Sequence, residues 1–227
     1  MFIGLVILPA MVFVLLFYAS YSISAGVYVK SLCRDYCNKD AIALTFDDGV
    51  DPVMTPKVLN VLKKYHAKAT FFIIGEKAFN YPEVVKMIIE QGHSIGNHSY
   101  RHKWYFPLKT TRSIYNEIKD CTTVLEKISG FKIKLFRPPF GVTNPMIAKA
   151  LKRTGLLSIG WSIRSFDTIG QDLDNVKARV ILQLKPGKVI LLHDNRPDAD
   201  ILLEKILLEI ERRSLKAITI DQLFNIS

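Results

Sequence analysis

The chain has 227 residues, 49% of them hydrophobic and 23% charged, and 31 Lys and Arg against 21 Asp and Glu give a formal net charge of +10. That length suits one domain with a sizeable core, and no change of composition past the N-terminus marks a second. Three cysteines define no disulfide framework, no aromatic-interleaved basic motif or zinc-finger spacing speaks for nucleic acid, and no Gly-rich loop speaks for nucleotide chemistry.

Residues 2–19 are apolar without a charged side chain, about the length that crosses a bilayer. They read as an uncleaved anchor within residues 1–26. The alternatives are a secretory signal cleaved near the small residues 19–25 and a buried core helix. Lys30, Arg34 and Lys39 follow the run, which by the positive-inside rule favours a cytoplasmic side for what comes next. The net positive charge suits anionic lipid or an acidic polymer, and equally a solvated Lys-rich surface.

Strand and helix signals then alternate. Residues 41–46 form a strand pattern with Ile42, Leu44 and Phe46 on one face, stopped by Gly49 and Pro52, after which Thr55 and Pro56 open a helix over 57–65. A strand at 69–74, a helix at 82–91 closed by Gly92 and a short strand at 94–97 come next. An aromatic-rich loop at 103–109 leads to a long amphipathic helix over 110–129, ended by Gly130. Past a strand at 133–136 comes the Pro-containing turn 137–141, then a helix opened by Asn144 and Pro145 and ended by Gly155. The remainder predicts a strand at 156–163, a helix at 175–184 capped by Asp174, a strand at 188–192, a helix at 201–212 and a last strand at 217–220.

Such an order closes into a parallel sheet or barrel whose strand C-termini share one mouth. Five apolar runs end there in residues suited to metal-assisted hydrolysis: Asp47-Asp48, His98 with His102, Arg137, Asp167 and His193. Asp47 and Asp48 can share a pocket only if the strand stops and Gly49 lets the backbone turn; otherwise Asp-Asp-Gly is ordinary turn chemistry. His98 and His102 have the spacing that brings two imidazoles to one site across a helical turn, and with Asp48 they make a two-His, one-carboxylate set with room for water and substrate. Arg137, fixed before two prolines, would orient one carboxylate and hold it deprotonated. His193 offers an acid for a leaving group, and Asp167 could bond its imidazole and raise its pKa. Of the other histidines, His66 reads as a helix-end surface residue and His93 as a half-buried strand residue. Cys33 and Cys37 could pair in an exported chain, whereas Cys121 reads as a small buried hydrophobe.

On these residues the chain resembles the polysaccharide deacetylase family, the NodB-homology fold also called carbohydrate esterase family four, over about residues 40–223. The motifs stand as Thr45-Phe46-Asp47-Asp48-Gly49, His98-Ser99-Tyr100-Arg101-His102, Arg137-Pro138-Pro139-Phe140-Gly141 and Leu191-Leu192-His193. The resemblance implies an α/β fold, a distorted (β/α) barrel, here preceded by a hydrophobic helix, with residues 27–227 as the catalytic domain. It implies Asp47 as general base, Asp48, His98 and His102 as metal ligands, Arg137 as partner of Asp47, and His193 as general acid assisted by Asp167. Phe140, through its N–H, Leu191 and Trp161 would contact substrate. The implied cofactor is a divalent metal, Zn2+ first, with Co2+ or another transition metal as alternatives.

The implied activity is removal of N-acetyl groups from amino sugars of a cell-wall or extracellular glycan, from a membrane-anchored position facing outward. A noncatalytic glycan-binding protein and an O-deacetylase are the alternatives. Departures from the family pattern are Val50 for a proline, Phe140 for a frequent tyrosine, Arg164 for a common aspartate and Thr168 for a common tryptophan; the last two would reshape the sugar groove.

Overall fold

The computed structural model describes residues 2–170 and 172–226, with side chains from Met11 onward. In chain order its elements are α1 (Phe2–Tyr21), β1 (Ala41–Gly49), α2 (Met54–Lys64), β2 (Thr70–Ile73), α3 (Gly75–Asn80), α4 (Pro82–Glu90), β3 (Ser94–Asn97), α5 (Thr111–Ser129) and β4 (Leu135–Phe136). They continue with α6 (Pro145–Lys152), β5 (Leu157–Ser158), β6 (Ile163–Arg164), α7 (Leu173–Gln183), β7 (Val189–His193), α8 (Ala199–Arg212), β8 (Lys216–Ile218) and α9 (Ile220–Phe224).

The strands form one sheet in the order β5-β4-β3-β2-β1-β7-β6, every pairing parallel, with β8 added beside β1. β1 is central, and successive residues serve opposite faces. Ile42, Leu44 and Phe46 pack outward with Val58, Leu59 and Leu62 of α2 and Leu203, Ile206 and Leu207 of α8. Ala43 faces inward with Phe72, Leu135, Ile159 and Val189, where Ile220 and Leu223 of α9 join them. Asp47 follows Ala43 and Thr45 on that inward face. The sheet's open side, between its edge strands β5 and β6, is bridged by residues 32–35, which reach from β5 to the residues just before β7: Leu32 N–H donates to Ser158 O at 2.9 Å, Gly160 N–H to Leu32 O at 3.0 Å and Asp35 N–H to Gly187 O at 2.8 Å. The result is the distorted barrel the resemblance implies.

Several expectations change in detail. The strand expected over 156–163 is two short pieces, because residues 159–160 turn their carbonyls onto Arg137 instead of a neighbouring strand. Thr55 lies inside α2 and does not cap it; its hydroxyl accepts from Asp51 N–H and donates to Asp194. Asp172, not Asp174, caps α7. Helix α3 escapes a periodicity reading because it spans only six residues. Cys33 and Cys37 are free thiols, and Cys121 is buried as expected.

Met11–Tyr18 of α1 are exposed apolar side chains, while Ala19 and Ile23 are buried against the domain and Thr143 N–H donates to Ser20 O at 2.9 Å. Among the described residues no helix is long and apolar enough to cross a membrane. Within the expected anchor, Met1 and the side chains of residues 2–10 lie outside the described residues.

Candidate active site

At the mouth of the barrel, β1 and β7 run in register with Asp47 beside His193. Asp47 is buried and continues the inward face of β1. Its Oδ1 accepts from Arg137 Nη1 at 2.6 Å. Arg137 is fully buried, and its remaining contacts explain how the interior tolerates a guanidinium: Nη1 also reaches Thr45 Oγ1 at 2.8 Å, Nε donates to Ile159 O at 3.2 Å and Nη2 to Gly160 O at 2.9 Å. The guanidinium lies 4.1 Å from the Phe72 ring centroid. A buried ion pair with all these bonds satisfied orients a carboxylate tightly. Thr45 and the two backbone carbonyls are partners that the sequence signal did not single out.

Alternation along β1 would send Asp48 to the outer, helix-covered face. Instead its own backbone is left-handed, with φ 67°, and the side chain swings to the mouth. Gly49 is not the residue that turns. It is required for close approach, because a Cβ there would meet the Asp194 carboxylate at 2.5 Å. Lys77 Nζ donates to Asp48 O at 2.6 Å, holding this conformation from α3.

His98 and His102 are brought together by a loop and not by a helical turn: Ser99 and His102 both have positive φ, at 64° and 49°. Asn97, at the end of β3, braces this loop through its Oδ1 on Ser99 N–H at 2.8 Å. The two rings lie 4.6 Å apart between centroids, and each Nε2 is 3.4 Å from Asp48 Oδ1. One ligand atom from each of Asp48, His98 and His102 falls within 4.8 Å of the other two. Asp48 Oδ1 and His102 Nε2 are buried without a hydrogen-bond partner, which a polar interior seldom tolerates unless something else binds them. His98 Nδ1 is 2.9 Å from Arg137 O, so it must carry the proton there and its Nε2 lone pair faces the cluster. Burial, reinforced by His98, pushes His102 down to about 4, so its imidazole is neutral at neutral pH. Burial works against ionising Asp48, but the imidazoles of His98, His102 and His193 around it hold its carboxyl well below the usual range. A carboxylate with two imidazoles whose Nε2 atoms converge on it fits a divalent metal.

Across the mouth, His193 Nδ1 is 2.8 Å from Asp167 Oδ1, and His193 N–H donates to Asp167 Oδ2 at 2.9 Å. Ser165 Oγ donates to Asp167 Oδ1 at 2.9 Å. Burial alone would lower the His193 pKa, but the Asp167 bond and charge, with Asp47 and Asp48, outweigh it and raise it. The protonated imidazole therefore persists above its ordinary range and is lost as pH rises through the raised pKa. Asp167→Asn removes the charge that does this, so the alkaline limb of a kcat–pH profile should move to lower pH; an unmoved limb would exclude His193 as the group titrating there.

Asp47, Asp48, His98, His102 and His193 line a cavity of about 200 Å³ together with Phe140, Trp161, Arg164, Phe166, Thr168 and Leu191, with Arg137 and Asp167 bonded behind Asp47 and His193. Phe140 has φ 61°, and its ring lies 4.6 Å from the His102 ring. Gly141 follows with φ 68°, and a Cβ there would strike the Trp161 ring at 2.2 Å. All ten residues expected at the site thus converge, although their segments span residues 47–193. Asp194 is a buried carboxylate that the motif reading overlooked: burial pushes it up to about 6 despite the Thr55 hydroxyl at 2.5 Å, and it packs beneath Gly49.

A parallel half-open barrel with a His-His-Asp cluster beside a buried Asp–Arg pair defines a metallohydrolase-type centre. The family model described as polysaccharide deacetylase matches residues 35–159. A peptidoglycan-N-acetylglucosamine deacetylase of Bacillus cereus is 35% identical over 191 residues, covering 82% of this chain and 89% of that protein. The peptidoglycan-N-acetylmuramic acid deacetylase PdaC of Bacillus subtilis is 35% identical over 190 residues, 82% of this chain but 39% of the longer PdaC. The solved PdaC structure superposes with a TM-score of 0.77 at 30% identity, covering 83% of this chain and 91% of that one. The chain belongs to the polysaccharide deacetylase family.

Proposed function

We propose that this chain is a divalent-metal-dependent hydrolase that removes N-acetyl groups from amino sugars of a cell-wall glycan, releasing acetate. The observation that carries this reading is the conjunction, at one cavity, of the Asp48–His98–His102 cluster, with Asp48 Oδ1 and His102 Nε2 unpartnered, and two proton-handling groups of opposite disposition, Asp47 paired to Arg137 and His193 paired to Asp167. The names of the relatives, deacetylases of peptidoglycan sugars, support the substrate class.

In this reading Asp48, His98 and His102 hold the metal, Zn2+ being the best match to two imidazoles and one carboxylate. When bound, such an ion supplies a Lewis acid that polarises the acetamide carbonyl and lowers the pKa of water. Asp47, fixed by Arg137, takes the proton from the attacking water. The Phe140 N–H helps to bind the oxyanion, Leu191 receives the acetyl methyl and Trp161 lines the sugar side. His193 then protonates the departing amine.

Residues 27–227 are the catalytic unit. Residues 2–19 tether it at the outer face of a membrane, a reading supported by their uncharged apolar run and by the exposed apolar side chains of Met11–Tyr18. Acetate release from chitooligosaccharide and from peptidoglycan, with added Zn2+ or Co2+ and again under chelation, tests the activity. Metal-dependent release is the expected result, and none under either condition would leave only a glycan-binding role.

A further inference from the structure

The cavity's acidic groups are all committed: Asp47 to Arg137, Asp48 to the two histidines and Asp167 to His193. One cation in its lining is not. Arg164 is exposed, and among the described residues its guanidinium has no carboxylate partner and rests on two aromatic rings, 5.6 Å from the Trp161 centroid and 4.7 Å from that of Phe166.

Sheet register fixes where this side chain stands. Arg164 of β6 pairs with Leu191 of β7, and cross-strand partners present their side chains to the same face. Leu191 and His193 share a face by alternation, and His193 pairs with Asp47. Arg164 therefore belongs to the same inward row as the acid and base, about one strand spacing, some 4.8 Å, from Leu191. Its long side chain extends from there to the cavity rim, where Phe166 and Thr168 also lie. A guanidinium stacked on rings has little rotamer freedom left to lose, and its donors stay free for a planar anion.

We infer that Arg164 forms an anion subsite at the rim that binds a carboxylate carried by the glycan next to the reacting acetamide, making this chain selective for carboxylated over neutral amino-sugar polymers. The inference rests on the deacetylase reading of the same site. A carboxylate fits better than a solvated monovalent ion because the guanidinium fork can donate to both of its oxygens. In a peptidoglycan strand two sources have this chemistry, the lactyl acid of a muramic sugar and the peptide stem that replaces it.

The test uses the full metal-loaded chain and three tetrasaccharides of alternating N-acetylglucosamine and N-acetylmuramic acid, one with free carboxylates, one with the same groups as primary amides and one bearing stem peptides. Wild-type kcat/KM for the free acid should exceed that for the amide by about tenfold at low salt, the value of one partly exposed charged hydrogen bond. The ratio should shrink as salt is raised. Arg164→Gln should bring it close to one, and Arg164→Lys should leave it in between, because a point charge keeps attraction without the fork.

The same ratios are read as Kd in an Asp47→Asn background, where no turnover is needed. If the wild type releases acetate from none of the three, the deacetylase reading falls, yet the Kd ratio still decides Arg164. Equal ratios in wild type and Arg164→Gln by both measurements would overturn the subsite. If only the peptide-bearing strand depends on Arg164, the carboxylate recognised is the stem's.

Discussion

Asp47→Asn should lower kcat on an N-acetylated oligosaccharide by about 10² to 10⁴, the usual contribution of a positioned general base, while leaving metal affinity nearly intact. Asparagine keeps the size of the side chain and an oxygen that can accept from Arg137 Nη1, so the 2.6 Å contact has a substitute and the fold is little disturbed. What it cannot do is accept a proton from water. Metal affinity should hold because the ligand cluster draws on Asp48 and not on Asp47, whose Oδ2 lies 3.8 Å from His98 Nε2. Isothermal titration of Zn2+ into chelator-treated protein, beside a kcat measurement, separates the two roles. A variant that keeps the full rate with metal bound would remove Asp47 as the base. One that loses rate only because it no longer binds Zn2+ would make Asp47 a ligand. His98→Ala is the contrasting control, expected to lose metal and turnover together.

Arg137→Met should destabilise the fold by about 3–5 kcal/mol, the range for removing one partner of a buried ion pair, and should also abolish most activity. Methionine fills much of the space beside Phe72 but offers none of the donors, so Asp47 Oδ1, Thr45 Oγ1 and the carbonyls of Ile159 and Gly160 all lose a bond inside the barrel. Arg137→Lys keeps the charge yet cannot reach four acceptors from one point, so it should fall between the two. Pairing Arg137→Met with Asp47→Asn removes the stranded charge, and the double variant should cost less than the sum of the singles. Urea unfolding followed by circular dichroism measures the wild type and all four variants. Wild-type stability in Arg137→Met would mean that water or a neighbouring side chain replaces the guanidinium, and the account of Arg137 as the interior brace would be wrong.

What the sequence by itself determined was local and chemical. The alternation of strand and helix signals gave the parallel architecture, because buried parallel strands read as apolar runs and amphipathic helices read as periodic ones. Asn144 caps α6 as its residue type requires, accepting from Ile147 N–H. The chemistry-bearing residues stood out because polar groups that follow apolar strands need a partner, and seven of them, Asp47, Asp48, His98, His102, Arg137, Asp167 and His193, fell at or past strand ends that the fold makes neighbours.

What only the tertiary structure decided was direction. No periodicity rule anticipates that Asp48 leaves the alternation of β1 through a left-handed backbone, or that His98 and His102 meet across a loop and not a helix. Those conformations are unfavourable locally and persist because the fold holds them: Lys77 bonds the Asp48 carbonyl, and Asn97, itself anchored on Ile118 O and Thr122 of α5, accepts from Ser99 N–H. Thr55 has the residue type of a cap, capping being a common local use of threonine, but Asp194, 139 positions later, claims its hydroxyl proton. The split of the strand expected over 156–163 has the same origin: Arg137 needs carbonyls from Ile159 and Gly160, and a buried guanidinium outweighs two strand hydrogen bonds.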